Sequence, residues 1–402
     1  MHDGPVFGLI VLCLAAAVGL AIAAERLSRI LRIPTPAIFL LASAAMAQVV
    51  PQLHHLSHTA DERLVTVALV VILFDGGMQI GLPRFRSAAS PIIVLGVVGT
   101  VLTAAGLTIV AHLLGLDWRE SLLLATALSP TDPAVVFNVL AGREIEGATG
   151  TILQGESGAN DPVGIALMVA ILGSSGAGWG ALGHGLGVFA LQLAVGVAVG
   201  VVGGLGLAAA MRHLPLANEG LRPVRSIVVA FLVYGAAATL GGSGFLAVLL
   251  AGVIIGEADV PHRQATERFT AGLSSLAEIV AFVALGLTVD LHRVVTSDAP
   301  WVGLTLFVVG VAVVRPIAVA LLLSNSQLHL GEKAFVSWGG LKGAVPILLG
   351  LFAVTANAAH ADHLYDVVFV VVLASVVVQG STIPAVASLC RVPMREVGKV
   401  SV

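Results

Sequence analysis

Long apolar stretches, separated by short polar segments, follow one another along almost the whole chain. A helix needs about 20 mostly apolar residues to cross a bilayer, and about thirteen stretches meet or approach that length. The pattern therefore predicts an all-α membrane protein in which residues 1–402 form a single membrane domain. The predicted spans lie at residues 5–24, 34–50, 64–82, 91–114, 121–141, 149–172, 186–211, 226–240, 244–256, 271–289, 301–323, 333–354 and 364–389.

The composition is typical of an integral membrane protein. Of the 402 residues, 57% are hydrophobic and only 11% are charged, with a mean hydropathy of +1.02, whereas soluble domains are about 25% charged. The 20 Lys and Arg are scattered singly, so the chain lacks the basic patch that nucleic acid requires. The two cysteines, Cys13 and Cys390, have no metal-binding spacing, and neither a cofactor nor a resident metal is expected.

The basic residues also predict an orientation, because Lys and Arg in short loops favour the cytoplasmic side. With the N-terminus outside, nearly all Lys and Arg between spans fall inside, and only Arg63, Arg119 and Arg293 fall outside. This asymmetry requires that the stretches on either side of residues 241–244 are separate spans. We therefore expect an integral protein of the cell (inner) membrane with its C-terminus in the cytoplasm.

Several charged side chains lie deep within the predicted spans, where each costs roughly 2.5–3.5 kcal/mol at the bilayer centre. Such residues mark a pathway or a binding site by default, although a buried ion pair can explain any single one. Their clustering favours function. The acids are Asp75, Asp132, Glu156, Asp161 and Glu278, and the bases are Arg315 and Lys342.

The sixth span carries the richest polar pattern. Glu156 and Asn160 are four residues apart, and so are Ser157 and Asp161, so two polar edges run along one side of a single helix. A hard monovalent cation prefers oxygen ligands, which a carboxylate, a hydroxyl and an amide carbonyl supply. The sixth span therefore predicts a cation site, whereas Ser157 and Asn160 alone could merely join neighbouring helices.

Two spans contain predicted helix breaks. Pro130 and Pro133 flank Asp132 in span five, and each proline removes a backbone donor and disfavours helix at the preceding residue. In span twelve, glycines and a proline surround Lys342. If span seven is a linker, both breaks fall in the fifth member of a six-span half. Matching interruptions of this kind are typical of a transporter built from two inverted repeats, with its site at the membrane midplane.

With these residues the chain resembles the monovalent cation:proton antiporter-1 family, which contains NhaP-type proteins and sodium/proton exchangers. The resemblance covers nearly the whole length, and the Asn160-Asp161 pair is its most specific part. The matching motifs are FDGGM at 74–78, SPTD at 129–132, GESGANDP at 155–162, GSGFLA at 242–247, VRP at 314–316 and GLKG at 340–343.

The resemblance implies a role for each site residue. The aspartate at Asp161 carries the cation or protons, and residues at Thr131, Asp132 and Ser157 help to coordinate the ion. An asparagine at Asn160 resembles the electroneutral branch. The family pairs the glutamate at Glu156 with an arginine in the glycine-rich stretch of span twelve, which implies a supporting ion pair of Glu156 with Lys342, although an ammonium lacks the planar fork of arginine.

The resemblance further implies a homodimer with two moving parts. The core bundle is expected at about 91–172 and 299–390, and the scaffold and dimer contacts at about 1–90 and 183–290. Asp75 stands where the family usually has glutamate and is expected near the pathway. Glu278 and Arg315 occupy positions that are functionally sensitive in the family, but a structural pair between spans ten and eleven would explain them equally well.

These observations predict a secondary-active antiporter, not an enzyme, that exchanges Na⁺ for H⁺ with competing binding at Asp161. A K⁺/H⁺ antiporter of the same fold is the first alternative. A solute symporter, a cation channel and an intramembrane aspartyl protease are less favoured. A protease with Asp132 and Asp161 as its acids is disfavoured because neither acid lies in a Gly-x-Gly-Asp motif.

Overall fold

The computed structural model describes residues 34–49, 58–140, 143–174, 179–214, 216–260 and 263–396, together with Gly8, Leu12 and Gly19. The predicted first span, residues 5–24, therefore lies outside the described residues apart from those three. The remaining twelve predicted spans all coincide with helices. Predicted spans five and twelve each coincide with a pair of helices separated by non-helical backbone.

Helices account for nearly all the regular structure of the described chain. In the first half they are α1 Thr35–Val49, α2 His58–Ile80, α3 Leu82–Ser87, α4 Ala89–Leu113, α5 Trp118–Ala127, α6 Ala134–Val139, α7 Ala148–Gly173, α8 Trp179–His213 and α9 Leu221–Thr239. In the second half they are α10 Gly244–Glu257, α11 Arg263–Leu287, α12 Leu291–Thr296, α13 Ala299–Leu322, α14 Leu330–Trp338, α15 Ala344–Thr355 and α16 Ala361–Leu389. A two-stranded antiparallel ribbon joins β1 Arg143–Ile145 to β2 Met394–Glu396.

Seven of the described helices are long and apolar enough to cross a membrane, namely α2, α4, α8, α9, α11, α13 and α16. Three shorter apolar helices, α1, α10 and α15, accompany them. The predicted separation of α9 from α10 is confirmed, because Gly241 adopts φ 74° and the Ser243 side chain caps α10 by accepting from the Leu246 N–H. A left-handed glycine followed by a capping serine ends one helix and starts the next.

Glycines set the close packing around α10. Lipid tails are as apolar as the side chains, so helices in a membrane associate through tight packing at small residues. A Cβ on Gly252 of α10 would collide with the Phe74 carbonyl oxygen and lie 3.2 Å from the Gly77 Cα of α2. On its other side, a Cβ on Gly204 of α8 would lie 3.0 Å from the Ala251 Cα. The α10 backbone is therefore in direct contact with both neighbours.

Three of the described helices contain π-helical turns, at Val94–Gly99 in α4, Gly310–Val314 in α13 and Ser375–Gln379 in α16. Such turns are common at functional sites. A Cβ on Gly96 would lie 2.5 Å from the Ala159 Cβ of α7, so the turn in α4 packs beside the polar motif of α7. Arg315 follows the turn in α13 directly.

An ionic cluster joins several helix ends at one end of the bundle. Arg293 of α12 donates to both carboxylate oxygens of Asp366, at 2.6 and 2.9 Å. His363 lies 2.9 Å from Asp298, which precedes α13, and 3.4 Å from Glu120 of α5. The hydrogen bond to Asp366, together with the charges of the nearby carboxylates, raises the pKa of Arg293 above its ordinary value. The cluster thus fastens the start of α16 to α5, α12 and α13.

Gly252→Ala should lower the melting temperature of the purified protein in detergent. The added methyl meets main-chain atoms of α2, and overpacking of this kind costs about 1–3 kcal/mol. Gly272→Ala is the matched control, because a Cβ there meets no atom of the described residues within 4 Å. An unchanged melting temperature for Gly252→Ala would contradict the direct backbone contact.

Candidate functional site

The two predicted helix breaks meet in the structure. α5 ends at Ala127 and α6 begins at Ala134, while α14 ends at Trp338 and α15 begins at Ala344. The Asp132 N–H donates to the Leu341 carbonyl oxygen over 2.7 Å, so the non-helical segments are bonded to each other. The sequence prediction of two interrupted helices is confirmed.

Local sequence explains where each helix stops. Pro130 has no N–H to pair with the carbonyl four residues earlier, and it disfavours helical backbone at Ser129, so α5 ends before it. In the second break, a Cβ on Gly343 would collide with the Asp132 side chain. The missing side chain of Gly343 is therefore what admits Asp132 to the crossing. Pro346 falls in the first turn of α15, where proline is tolerated.

Helix α7 passes the crossing and fixes it through Asn160. The Asn160 Nδ2 donates to the Thr131 Oγ1 over 2.7 Å, and the Thr131 N–H donates to the Asn160 Oδ1 over 3.3 Å. Both ends of the amide are thus used to hold the first break. Because Asn160 bonds Thr131 both through its Nδ2 and through its Oδ1, it acts in this structure as a positioning group for Thr131.

Asp161 lies beside this contact and is left unsatisfied. Its side chain is buried, and its Oδ1 has no hydrogen-bond partner among the described residues. The charges of Asp132 and Lys342 act on it most strongly. Ser157, one turn earlier on α7, is also buried. Buried polar atoms are nearly always bonded in native structures, so a buried carboxylate oxygen without a partner indicates a place for a cation or a proton.

Glu156 forms a buried ion pair with Arg315, which corrects the predicted pair with Lys342. Arg315 Nη1 lies 2.5 Å from Glu156 Oε1, and Nη2 lies 2.8 Å from Oε2. The planar fork of arginine matches both carboxylate oxygens, which an ammonium cannot do. A Cβ on Gly340 would lie 2.8 Å from the Arg315 Nε, so the glycine-rich break also makes room for the guanidinium.

Arg315 therefore does not pair with Glu278, and the structural explanation proposed for those two charges is wrong. Glu278 on α11 is close enough to Asp132 for the two carboxylates to interact electrostatically. The Glu278 Oε1 has no hydrogen-bond partner among the described residues. Lys342 instead directs its Nζ to the carbonyl oxygens of Pro130, at 3.1 Å, and Ser129, at 3.3 Å.

Asp75 belongs to a polar chain beside the crossing. Gln79 Nε2 donates to Asp75 over 2.7 Å, and Gln154 of α7 donates to Gln79 over 3.1 Å. The hydroxyls of Thr270 and Ser274 on α11 also interact with Asp75. These two residues and Glu278 are spaced by four, so they share one side of α11. Asp75 and Glu278 therefore lie along the same polar face.

Sequence reasoning missed several polar residues that support the site. Lys342 N–H donates to Ser375 Oγ over 2.9 Å, Ser375 donates to Gln379 over 2.6 Å, and Gln379 Nε2 donates to the Trp338 carbonyl over 2.8 Å. Ser375 and Gln379 tie α16 to the second break. Two polar residues four apart in an otherwise apolar span lie on the same side of the helix, and this spacing can be detected in the sequence. Asp75 and Gln79 show the same spacing.

Arg315→Gln should lower the melting temperature in detergent substantially, because it leaves the Glu156 carboxylate buried and unpaired. Removing one partner of a buried pair costs about 3–5 kcal/mol, whereas removing both is often far less costly. The double variant Glu156→Gln/Arg315→Gln should therefore regain part of the lost stability. Thermal unfolding of the three proteins tests this, and additive losses in the double variant would contradict a mutual pair.

Comparison with known proteins shows the family. Residues 13–389 match the family described as sodium/hydrogen exchanger, transmembrane. The K⁺/H⁺ antiporter NhaP of Alkalimonas amylolytica is 38% identical over 328 residues, which is 80% of this chain and 56% of that protein. The K⁺/H⁺ antiporter NhaP2 of Shewanella sp. (strain MR-4) is 33% identical over 333 residues, covering 82% and 57%. The chain thus spans little more than half the length of these relatives.

The fold is also that of a solved antiporter. The sodium proton antiporter MjNhaP1 from Methanocaldococcus jannaschii superposes with a TM-score of 0.80 at 21% identity, over 95% of this chain and 100% of that one. The predicted fold class, an all-α membrane protein with two interrupted crossing helices, is confirmed. The match over residues 13–389 identifies this integral membrane protein as a member of the sodium/hydrogen exchanger family of transporters.

Proposed function

We propose that this protein is a secondary-active antiporter that exchanges a monovalent cation for a proton at Asp161. The observation that carries the proposal is the buried Asp161 Oδ1, which has no hydrogen-bond partner among the described residues at the crossing of two interrupted helices. A carboxylate left without partners at this depth is costly. Either a bound cation or a proton would relieve that cost.

Exchange follows from exclusion at a single site. A proton on the Asp161 carboxyl removes the charge that holds the cation, and a bound cation opposes protonation. Asp132, Thr131 and Ser157 offer further oxygen atoms at the crossing, of the kind that hard cations prefer. Asn160 holds Thr131 in place, and the Glu156–Arg315 pair is fixed one turn before Asn160. One cation for one proton, an electroneutral exchange, is the stoichiometry we propose.

The cation we propose is Na⁺, with K⁺ as a second candidate that the relatives favour. The two relatives at 38% and 33% identity are named K⁺/H⁺ antiporters. A low-affinity Na⁺/H⁺ antiporter, NhaS1 of Synechocystis, is 25% identical over 372 residues, covering 87% of this chain and 68% of that protein. Transport assays with each ion separate the two candidates.

Movement of one bundle against another would alternate access to the site. We propose a moving core at about 91–172 and 299–390, and a scaffold at about 1–90 and 183–290. Contact across this boundary is close at the site, since a Cβ on Gly158 of α7 would lie 3.0 Å from the Leu249 Cδ1 of α10. The polar face of α11, with Asp75 opposite it, is the proposed route for ions to Asp161.

The setting we propose is the cell (inner) membrane, with the N-terminus outside, the C-terminus in the cytoplasm and two copies joined through their scaffolds. The excess of basic residues in alternate loops supports this orientation. Exposed apolar faces on α8 and α9 support a scaffold that meets either lipid or a second copy.

Asp161→Asn should reduce cation-driven proton movement to the level of protein-free vesicles, because an amide can neither release a proton nor hold a cation by charge. The measurement is the fluorescence of a pH-sensitive dye in proteoliposomes after addition of Na⁺ or K⁺. Proton flux that persists in Asp161→Asn would overturn the assignment of the carrier.

Asp61→Asn is the matched control for this experiment. Asp61 is also a buried aspartate, and its Oδ2 has no hydrogen-bond partner among the described residues. It lies in the first turn of α2, however, and is nearly four helical turns from Asp75 along that helix. Its variant should retain exchange. Loss of exchange in both variants would indicate a general effect of removing a buried acid.

A further inference from the structure

Lys342 occupies an unusual position in the site. Its Nζ donates to two main-chain carbonyl oxygens of the first break, those of Pro130 and Ser129. It forms no ion pair with Glu156 or Asp161 among the described residues. The side chain thus reaches from the second interrupted helix into the first and binds backbone oxygen atoms there.

Those two carbonyl groups are available because of the prolines. In an unbroken helix the Ser129 carbonyl would accept from the N–H of residue 133, which is a proline and has none. The Pro130 carbonyl likewise falls where the helix is interrupted. The carbonyl end of a helix also carries partial negative charge. An ammonium with three donors is well suited to such a place, and Lys342 supplies the donors that the backbone lacks.

The charge of Lys342 is directed at the proposed cation site. The charged groups that act on it are Arg315, Glu156 and Asp161. Because Arg315 and Glu156 are bonded to each other, their charges largely cancel, and the Asp161 carboxylate is the unbalanced partner. The ammonium therefore stands beside the same carboxylate that a transported cation would approach.

We propose that Lys342 determines cation affinity and selectivity by acting as a tethered monovalent cation. In its ammonium form it occupies two carbonyl oxygens that a dehydrated ion would otherwise use as ligands, and it repels a cation at Asp161. The incoming ion is thereby restricted to side-chain oxygens. This inference rests on the proposed exchange at Asp161, and it names the residue that limits which ion that exchange accepts.

The test compares Lys342→Met with Lys342→Arg in full-length protein reconstituted into proteoliposomes. Initial rates of proton movement are measured over a range of Na⁺ and, separately, K⁺ concentrations. Lys342→Met removes both the charge and the donors, so the half-saturating cation concentration should fall by roughly tenfold, as loss of a nearby like charge predicts. The fall should be larger for K⁺, because carbonyl oxygens readily replace its hydration shell.

Lys342→Arg is the charge-keeping control. It should keep the half-saturating concentrations of both ions within about threefold of the parent, since the repulsion at Asp161 remains. If Lys342→Met lowers the rate for both ions without changing their half-saturating concentrations or the ratio between them, the residue is structural and the proposal is overturned. It is also overturned if Lys342→Arg behaves like Lys342→Met.

Folding of each variant is checked by gel filtration and by its melting temperature. Where Lys342→Met is not monodisperse, Lys342→Gln takes its place. Because it removes the charge but keeps donors, it should still lower the half-saturating concentration of both ions, with a smaller difference between K⁺ and Na⁺. If neither uncharged variant folds while Lys342→Arg does, the role is structural and the proposal fails. Absence of exchange in the parent protein would instead refute the proposed function, so the two failures are distinguishable.

Discussion

The need to satisfy backbone polar groups where two helices are interrupted governs this structure. Within a bilayer, a free N–H or C=O costs several kcal/mol, so non-helical backbone survives only where protein or a water-filled cavity meets it. Here the two breaks meet each other. The Asp132 N–H bonds to the Leu341 carbonyl, and the Lys342 ammonium bonds to the carbonyls that precede Pro133. Each interruption supplies what the other lacks.

The same requirement explains why α7 and α16 carry polar residues in apolar surroundings. Asn160 bonds Thr131 through both its amide nitrogen and its amide oxygen. Ser375 and Gln379 bond to the backbone of the second break. The Glu156–Arg315 pair lies beside them and neutralises two charges within the bundle. Many of the polar groups at the crossing are thereby paired, whereas among the described residues the buried Asp161 Oδ1 has no hydrogen-bond partner, as is also true of the Glu278 Oε1 and the Arg315 Nε.

Much of this arrangement could be predicted from the sequence, because its signals are local. Apolar stretches located twelve described spans, and the prolines around Asp132 and the glycines around Lys342 located the breaks. The spacing of Glu156, Ser157, Asn160 and Asp161 placed them on one helix side. Each of these inferences depends only on residues within a few turns of one another.

Pairing between spans was harder to predict, since spacing along the chain does not fix which side chains can reach each other. Both Arg315 and Lys342 were available for Glu156, and resemblance favoured the one in the broken helix. In the structure Glu156 pairs with Arg315. The π-helical turn directly before Arg315 and the absence of a side chain at Gly340 leave room for the guanidinium. Ser375 and Gln379 were missed although their spacing was visible, because neither is charged.

An exchanger needs one group that its own fold does not satisfy, and this constraint connects stability to function. If Asp161 were bonded as fully as Glu156, neither a cation nor a proton would gain much by binding it. If the surrounding groups were equally unsatisfied, the interrupted helices would not hold together in lipid. Pairing most of the surrounding groups while leaving the Asp161 Oδ1 without a partner among the described residues resolves the conflict. In the proposed role of Lys342, its ammonium group occupies the backbone oxygens of the first break, so the ion cannot bind them. The cation and the proton then compete only at Asp161.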